Sequence, residues 1–271
     1  SMTGQTGTNS ALGSKESSPT VEPVPQNASS LSFVNAWNKI VLDWVDYGVY
    51  TSIAVDTNDL VHISFSDGNH LMYTHQIRDG YTILWATYTV ATAHAIYTSL
   101  ALDETDRPYI SYYNADSKNL CWAWSPDIGT WYTGTMSTDG VIDGSFTSAA
   151  VRNGYLHIAY RNATAGDVEY VKFKPGGGWP PTPQDVDGGA GVYGDISLAL
   201  RSDGIPRISY YDYANKRLMY ARYINGKWET EALDGDPGHK RGECNSLALD
   251  ATNRARIAYY DDNELDLRYI A

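Results

Sequence analysis

Along most of the chain, small or apolar residues alternate with polar ones over runs of four to eight positions. The same order of runs returns about every fifty residues. Five copies of one phrase carry the pattern: TSIAVDTNDLVHISFSD (51–67), TSLALDETDRPYISYYN (98–114), TSAAVRNGYLHIAYRN (147–162), ISLALRSDGIPRISYYD (196–212) and NSLALDATNRARIAYYD (245–261). Their shared serines, Ser52, Ser99, Ser148, Ser197 and Ser246, lie 47, 49, 49 and 49 residues apart. A two-residue alternation is the period of a strand with one buried face. Each copy opens on a strand of small bulk, as in Ser99-Leu100-Ala101-Leu102. A turn rich in Asp, Asn, Gly and Pro follows, and then a β-branched and aromatic strand such as Ile208-Ser209-Tyr210-Tyr211.

A third strand follows each phrase, marked by Leu-x-Tyr in Leu71-Met72-Tyr73, Leu218-Met219-Tyr220 and Leu267-Arg268-Tyr269. The variants are Leu120-Cys121-Trp122 and Val168-Glu169-Tyr170. A fourth element opens on Trp85, Trp131, Trp179 and Trp228, but the fifth copy stops at Ala271 before reaching it. The missing piece stands at the other end, where Trp37-Asn38-Lys39-Ile40-Val41-Leu42-Asp43 matches the segment from Trp228 to Asp234 in spacing and type. Repeats of this length read as blades that stack and bury a shared core. The fold class expected is all-β: a single five-bladed β-propeller of four-stranded blades over residues 31–271, with Velcro closure between the N-terminal strand and the C-terminal blade. Pairing the two termini would remove an open sheet edge.

Residues 1–30 are rich in Ser, Thr, Gly and Pro and nearly devoid of large apolar side chains, so they read as a disordered tether. Composition then narrows the partners. Net charge is −12, a sign that repels phosphate backbones and anionic headgroups, so nucleic acid is excluded as a partner. No run reaches the roughly 18 apolar residues of a membrane helix, so the folded part is not expected to insert in a membrane. The 22 tyrosines and 8 tryptophans against 4 phenylalanines give most large rings a polar edge, which suits a wet, ring-lined surface. Cys121 and Cys244 fall on non-adjacent repeats and are expected as free thiols.

The phrase S-x-A-x-D-x-x-G-x-P-x-I-S-Y-Y-D followed by Leu-x-Tyr resembles repeats of secreted and cell-surface propeller proteins of bacteria and archaea. That resemblance implies the fold and an extracellular or cell-surface location, secreted or lipid-anchored, and transfers no catalytic residue. The Asp box of sialidases and the WD40 and kelch signatures are absent. By architecture alone, five-bladed relatives include tachylectin-like lectins and glycosidase clans.

Ligands of such folds meet the face that carries the loops leading into the first strand and out of the second. Tyr50 and Tyr97 precede the shared serine, with Phe146, Asp195 and Cys244 in the same column. Tyr113, Tyr211 and Tyr260 stand beside them, replaced by Ser66 and Arg161 in the other copies. Packing between blades competes with ligand stacking as their role. His94 and the irregular loop Asp236–Glu243, with His239 and Arg241, break the symmetry as a single site would. The candidate ligand-binding residues are therefore Tyr50, His94, Tyr97, Tyr113, Tyr211, His239, Arg241 and Tyr260.

The column Asp67, Asn114, Asn162, Asp212 and Asp261 reads as turn-forming acceptors, with hydroxyl binding as the alternative. His62 and His157 share a slot with Tyr109, Arg207 and Arg256, which suggests a tolerant surface position. Asp185-Val186-Asp187-Gly188 and Asp234-Gly235-Asp236 resemble fragments of calcium loops without the remaining ligands. No catalytic constellation, metal site or cofactor is assigned.

The function expected is a binding module for a glycan or a protein partner. The alternatives are a carbohydrate-active hydrolase, a lyase using His94 or His239 with Tyr97 or Tyr50, and a structural subunit of a surface assembly.

Overall fold

The computed structural model describes residues 48–136, 143–177, 182–188, 191–235 and 239–271. Among them are 19 strands in five antiparallel sheets and no helix. The first sheet runs in order β1 (Val49–Val55), β2 (Val61–Ser66), β3 (His70–Asp79) and β4 (Thr82–Thr92). The second is β5 (Ala95–Leu102), β6 (Pro108–Asn114), β7 (Asn119–Trp124) and β8 (Tyr132–Thr135). The third is β9 (Asp143–Arg152), β10 (Tyr155–Asn162), β11 (Asp167–Phe173) and a two-residue β12 (Gln184–Asp185). The fourth is β13 (Val192–Leu200), β14 (Pro206–Asp212), β15 (Arg217–Ile224) and β16 (Lys227–Asp234). The fifth holds β17 (Arg241–Leu249), β18 (Ala255–Asp261) and β19 (Asp266–Ile270).

Local chemistry explains the turns. Asp56, Asp103 and Asp250 each accept backbone N–H bonds two and four residues on, as in Thr105 and Arg107 onto Asp103 Oδ1 at 2.9 and 3.0 Å. Asp59, Asp106 and Asn253 then take the left-handed conformation that Asp and Asn tolerate. At the far end of each second strand the column Asp67, Asn114, Asn162, Asp212 and Asp261 does the same for the next turn, with Oδ1 accepting from N–H groups two or three residues on. These side chains are turn-forming acceptors.

The core lies between sheets. Each of four hydrophobic clusters joins two successive sheets, as where Leu71, Tyr73 and Val90 of the first meet Leu100, Ile110 and Trp131 of the second. The first strands contact one another in the order β1, β5, β9, β13, β17. This crowding explains the small residues of the shared phrase. Its serine is the inter-sheet latch: the N–H groups of Leu100, Ala149, Leu198 and Leu247 donate to Ser52, Ser99, Ser148 and Ser197 Oγ at 3.0, 2.9, 3.0 and 2.9 Å.

The two ends of the array differ from its middle. Ile53 occupies the place of Leu100, Leu198 and Leu247, which are 7 to 8% exposed, yet is itself 66% exposed. Leu267 and Tyr269 are likewise exposed where Leu218 and Tyr220 are buried. The expected closing strand, Trp37–Asp43, lies outside the described residues, as do Trp179 and Asp236–Gly238.

The histidine slot departs from the expectation of a tolerant surface position. His62 and His157 are each 1% exposed, and their Nδ1 atoms pair with the hydroxyls of Tyr73 and Tyr170 on the neighbouring strand at 2.5 and 2.6 Å. Tyr109 and Arg207 in the same slot are also buried. The slot faces the inter-sheet core, where a polar ring tip is satisfied by a cross-strand phenol.

Candidate ligand-binding face

At the start of every first strand the ladder skips, with three residues or more opposing two. The skips lie between Val49 and Ser52, Ile96 and Ser99, Ser145 and Ser148, Val192 and Ile196, and Glu243 and Ser246. Such a bulge places one residue in the left-handed region, where glycine is the least strained choice. None of the five positions is glycine. They are Tyr50, Tyr97, Phe146, Asp195 and Cys244, with φ of 53, 54, 55, 28 and 51°. A non-glycine side chain there costs on the order of 1 kcal/mol or more.

These five side chains follow one another along the inner edge of the sheets. Tyr50 meets Tyr97 edge-on with ring centroids 5.3 Å apart, and Tyr97 lies against Phe146 at 4.4 Å. Beyond the rings, Asp195 Oδ2 accepts the backbone N–H of Cys244 at 2.5 Å. The strained carbonyls are braced from the next sheet: Thr98 Oγ1 donates to the Tyr50 carbonyl and Asn245 Nδ2 to that of Asp195. Ser64 and Ser209 brace Thr98 and Asn245 in turn. The result is an arc of three rings continued by a carboxylate and a thiol.

Burial raises the Tyr97 hydroxyl above its ordinary value, Tyr50 and Asp195 add to this, and Arg161 opposes it. The Cys244 thiol is also raised, by burial and by the nearby Asp195 and Glu243, which keeps it protonated at neutral pH. Both cysteines are free, Cys121 buried and Cys244 exposed.

The other sequence candidates scatter in environment. Tyr50 is 44% exposed and Tyr97 half-buried, whereas Tyr113 and Tyr211 are buried within the sheets and Tyr260 is half-buried. His94 is exposed on the loop into β5, its backbone N–H donating to Asp116 Oδ2 at 3.3 Å. His239 is half-buried. Arg241 is clamped between Asp234 and Asp261 at 3.1 and 2.9 Å, and Lys240 pairs with Asp262 at 3.2 Å, so the cations of this loop are engaged internally. Asp195 and Arg161 are the additions that the fold makes to the candidate set. The sequence signalled them as breaks in the aromatic columns.

The calcium-loop fragments have local partners. Asp185 Oδ1 accepts the N–H groups of Asp187 and Gly188, and Asp234 binds Arg241 and the Tyr259 hydroxyl. Among the described residues, no group of three or more His, Cys, Asp or Glu is placed to hold a metal ion. No described helix is long and apolar enough to cross a membrane.

No protein-family model and no curated protein sequence matches the chain. Solved structures do. AofleA from Arthrobotrys oligospora superposes with a TM-score of 0.54 at 16% identity, covering 78% of this chain and 64% of that one. The chain thus spans a little under two thirds of that protein. A point mutant of the Aleuria aurantia lectin in complex with Fucα1-6GlcNAc gives 0.52 at 12% identity, over 81% of this chain and 73% of that one. An α-L-arabinofuranosidase from Lactobacillus brevis gives 0.50 at 10% identity, over 82% and 85%. At these identities the likeness is one of fold, the β-propeller arrangement of small antiparallel sheets.

Proposed function

We propose that this protein is a carbohydrate-binding module, a five-bladed β-propeller that engages a glycan at the inner mouth formed by Tyr50, Tyr97, Phe146, Asp195 and Arg161. The observation that carries this reading is the retention of side chains at all five left-handed positions. A ring or an acid kept where glycine would relax the backbone points to work done by the side chain. A pyranose offers one face of C–H bonds to the negative face of an aromatic ring, and its hydroxyls suit a carboxylate acceptor and a guanidinium donor. The mouth supplies both kinds of group.

Sugar-binding and sugar-cleaving proteins are both among the solved folds this chain resembles, as the bound disaccharide of the Aleuria aurantia lectin and the name of the arabinofuranosidase indicate. Binding is preferred because the described mouth residues are rings, one acid, one thiol and one arginine, whereas glycoside hydrolysis uses a pair of carboxyl groups. The ring is closed in this reading by Trp37–Asp43 pairing along β19. The tether at residues 1–30 holds the module outside the cell or at its surface.

A glycan array followed by calorimetry tests the function. Binding of a neutral or fucosylated glycan that Tyr97→Gly weakens at least tenfold is the expected result. Turnover of a polysaccharide by the wild-type protein, or glycan binding indifferent to Tyr97, Phe146 and Asp195 substitutions, overturns it. Capture of a protein ligand alone, with no glycan bound, also overturns it.

A further inference from the structure

A cavity lies at the outer rim, three strands from the inner edge of the sheets or about 14 Å across the sheet. In the second sheet Trp131 is 3% exposed and packs edge-on against Tyr73 of the preceding sheet at 4.9 Å. Trp228 repeats that wedge against Tyr170 of the third sheet at 5.2 Å, but remains half-buried. The difference follows from the outermost strands. β4 has 11 residues and β16 has 8, while β12 has only Gln184 and Asp185. The cavity, of about 390 Å³, opens beside that short strand, walled by Gln184, Asp185, Tyr223, Lys227 and Trp228. Val186, Gly188 and Gly226 complete the wall, and both glycines have open space where a side chain would project.

The walls are held in place. The Trp228 indole N–H donates to Gln184 Oε1 at 3.1 Å, and its ring stands edge-on to Tyr223 at 5.2 Å, so two rings form an apolar corner. Around the corner stand an amide, a carboxylate whose Oδ1 is anchored by two turn N–H groups, and an exposed ammonium. One acid and one base leave the lining without net charge inside a protein of charge −12. The volume falls at the small end of the roughly 300–1,000 Å³ typical of small-molecule sites.

We infer that this rim groove binds a neutral pyranose unit of a glycan, stacked on Trp228 or Tyr223 and hydrogen-bonded by Gln184, Asp185 and Lys227. An anionic ligand would meet Asp185, and the amide, carboxylate and ammonium beside two rings suit the hydroxyls and C–H face of a sugar better than a wholly apolar ligand. The groove extends the carbohydrate reading to a second, independent position and does not need the mouth to bind. Two sites on one module would raise the avidity for a branched or repeating glycan without new contacts.

Titration of isotopically labelled protein with a panel of neutral methyl glycosides, following the Trp228 indole N–H resonance, tests the site. A saturable shift is expected for at least one sugar. Asp185→Ala should weaken it ten- to a hundredfold, as for loss of a charge-assisted hydrogen bond, and Lys227→Ala several-fold. Lys227 is exposed, so its variant should melt as the wild type does. Tyr97→Gly should leave the shift intact, which separates failure of the mouth from failure of the groove. The inference is overturned if no neutral glycoside moves the resonance, if only uronates or phosphates do, or if Tyr97→Gly abolishes the shift while Asp185→Ala and Lys227→Ala do not.

Discussion

The side-chain oxygen of Ser99 accepts the backbone N–H of Ala149, 50 residues on and one sheet further round, at 2.9 Å. The same bond recurs from Ser52, Ser148 and Ser197 to the next sheet. Each joins two sheets at their most crowded strands, so the recurring serine is a linking residue. Ser99→Ala leaves the Ala149 N–H without its acceptor and should cost about 1–2 kcal/mol. A fall of roughly 3–6 °C in melting temperature is expected for a chain of this size. Calorimetry that shows no change would remove the latch from the account.

The fifth serine supplies a test of closure. If the ring closes, Ser246 should meet the N–H of Ile53 as Ser197 meets that of Leu247, and Ser246→Ala should then destabilise about as much as Ser99→Ala. An array left open between β17 and β1 predicts no effect from the Ser246 change and the full effect from Ser99.

Deletion of residues 32–47 should destabilise the whole module, because the apolar Ile53, Leu267 and Tyr269 at the two ends need a cover. Loss of cooperativity or a fall of many degrees in the melting temperature is the expected outcome. A truncated protein that melts at the wild-type temperature contradicts closure by this segment.

Tyr97→Gly separates function from stability. Glycine relieves the left-handed backbone by about 1 kcal/mol while forfeiting ring contacts to Tyr50 and Phe146, so the melting temperature should move by only a few degrees. Glycan affinity should fall at least tenfold. A loss of both in proportion would mean that the ring is there for packing.

Acid should destabilise the fold through its buried histidines. Burial pulls His157 down to about 3, with Lys172 adding to it, and pulls His75 down to about 4, with His62 adding to it. Both stay neutral in the folded chain while the unfolded chain takes up protons below about pH 6.5. Stability is therefore full above pH 6.5, falls as pH drops, and levels off below the folded values. At pH 5 the loss is roughly 2 kcal/mol per histidine. Asp167 acts oppositely, since burial and the carboxylates of Glu169 and Asp185 raise it to about 6, and the folded state takes its proton first as pH falls below that value. Thermal melts at pH 7.5 and 5.0 should show a net loss, and His157→Gln should recover part of it. An unchanged difference in that variant would acquit His157.

The sequence by itself determined the strands, the fifty-residue period and the turns. An alternation of period two and an Asp or Asn bonding N–H groups two to four residues on are local devices, so they can be read from neighbours in the chain. It also marked the shared serine and the breaks in the aromatic columns at Arg161 and Asp195. Only the tertiary structure decided what the serine and Asp195 do, because each meets a backbone N–H about fifty residues away on the next sheet. His62 and His157 likewise read as surface residues and proved buried, paired with Tyr73 and Tyr170 on the adjoining strand of their own sheets, because which face of a strand is covered depends on how the sheets pack. The left-handed backbone at Tyr50, Tyr97 and Phe146 and the rim groove beside the two-residue β12 have the same origin: bulge and strand length are set by how sheets crowd, and no run of residues spells them out.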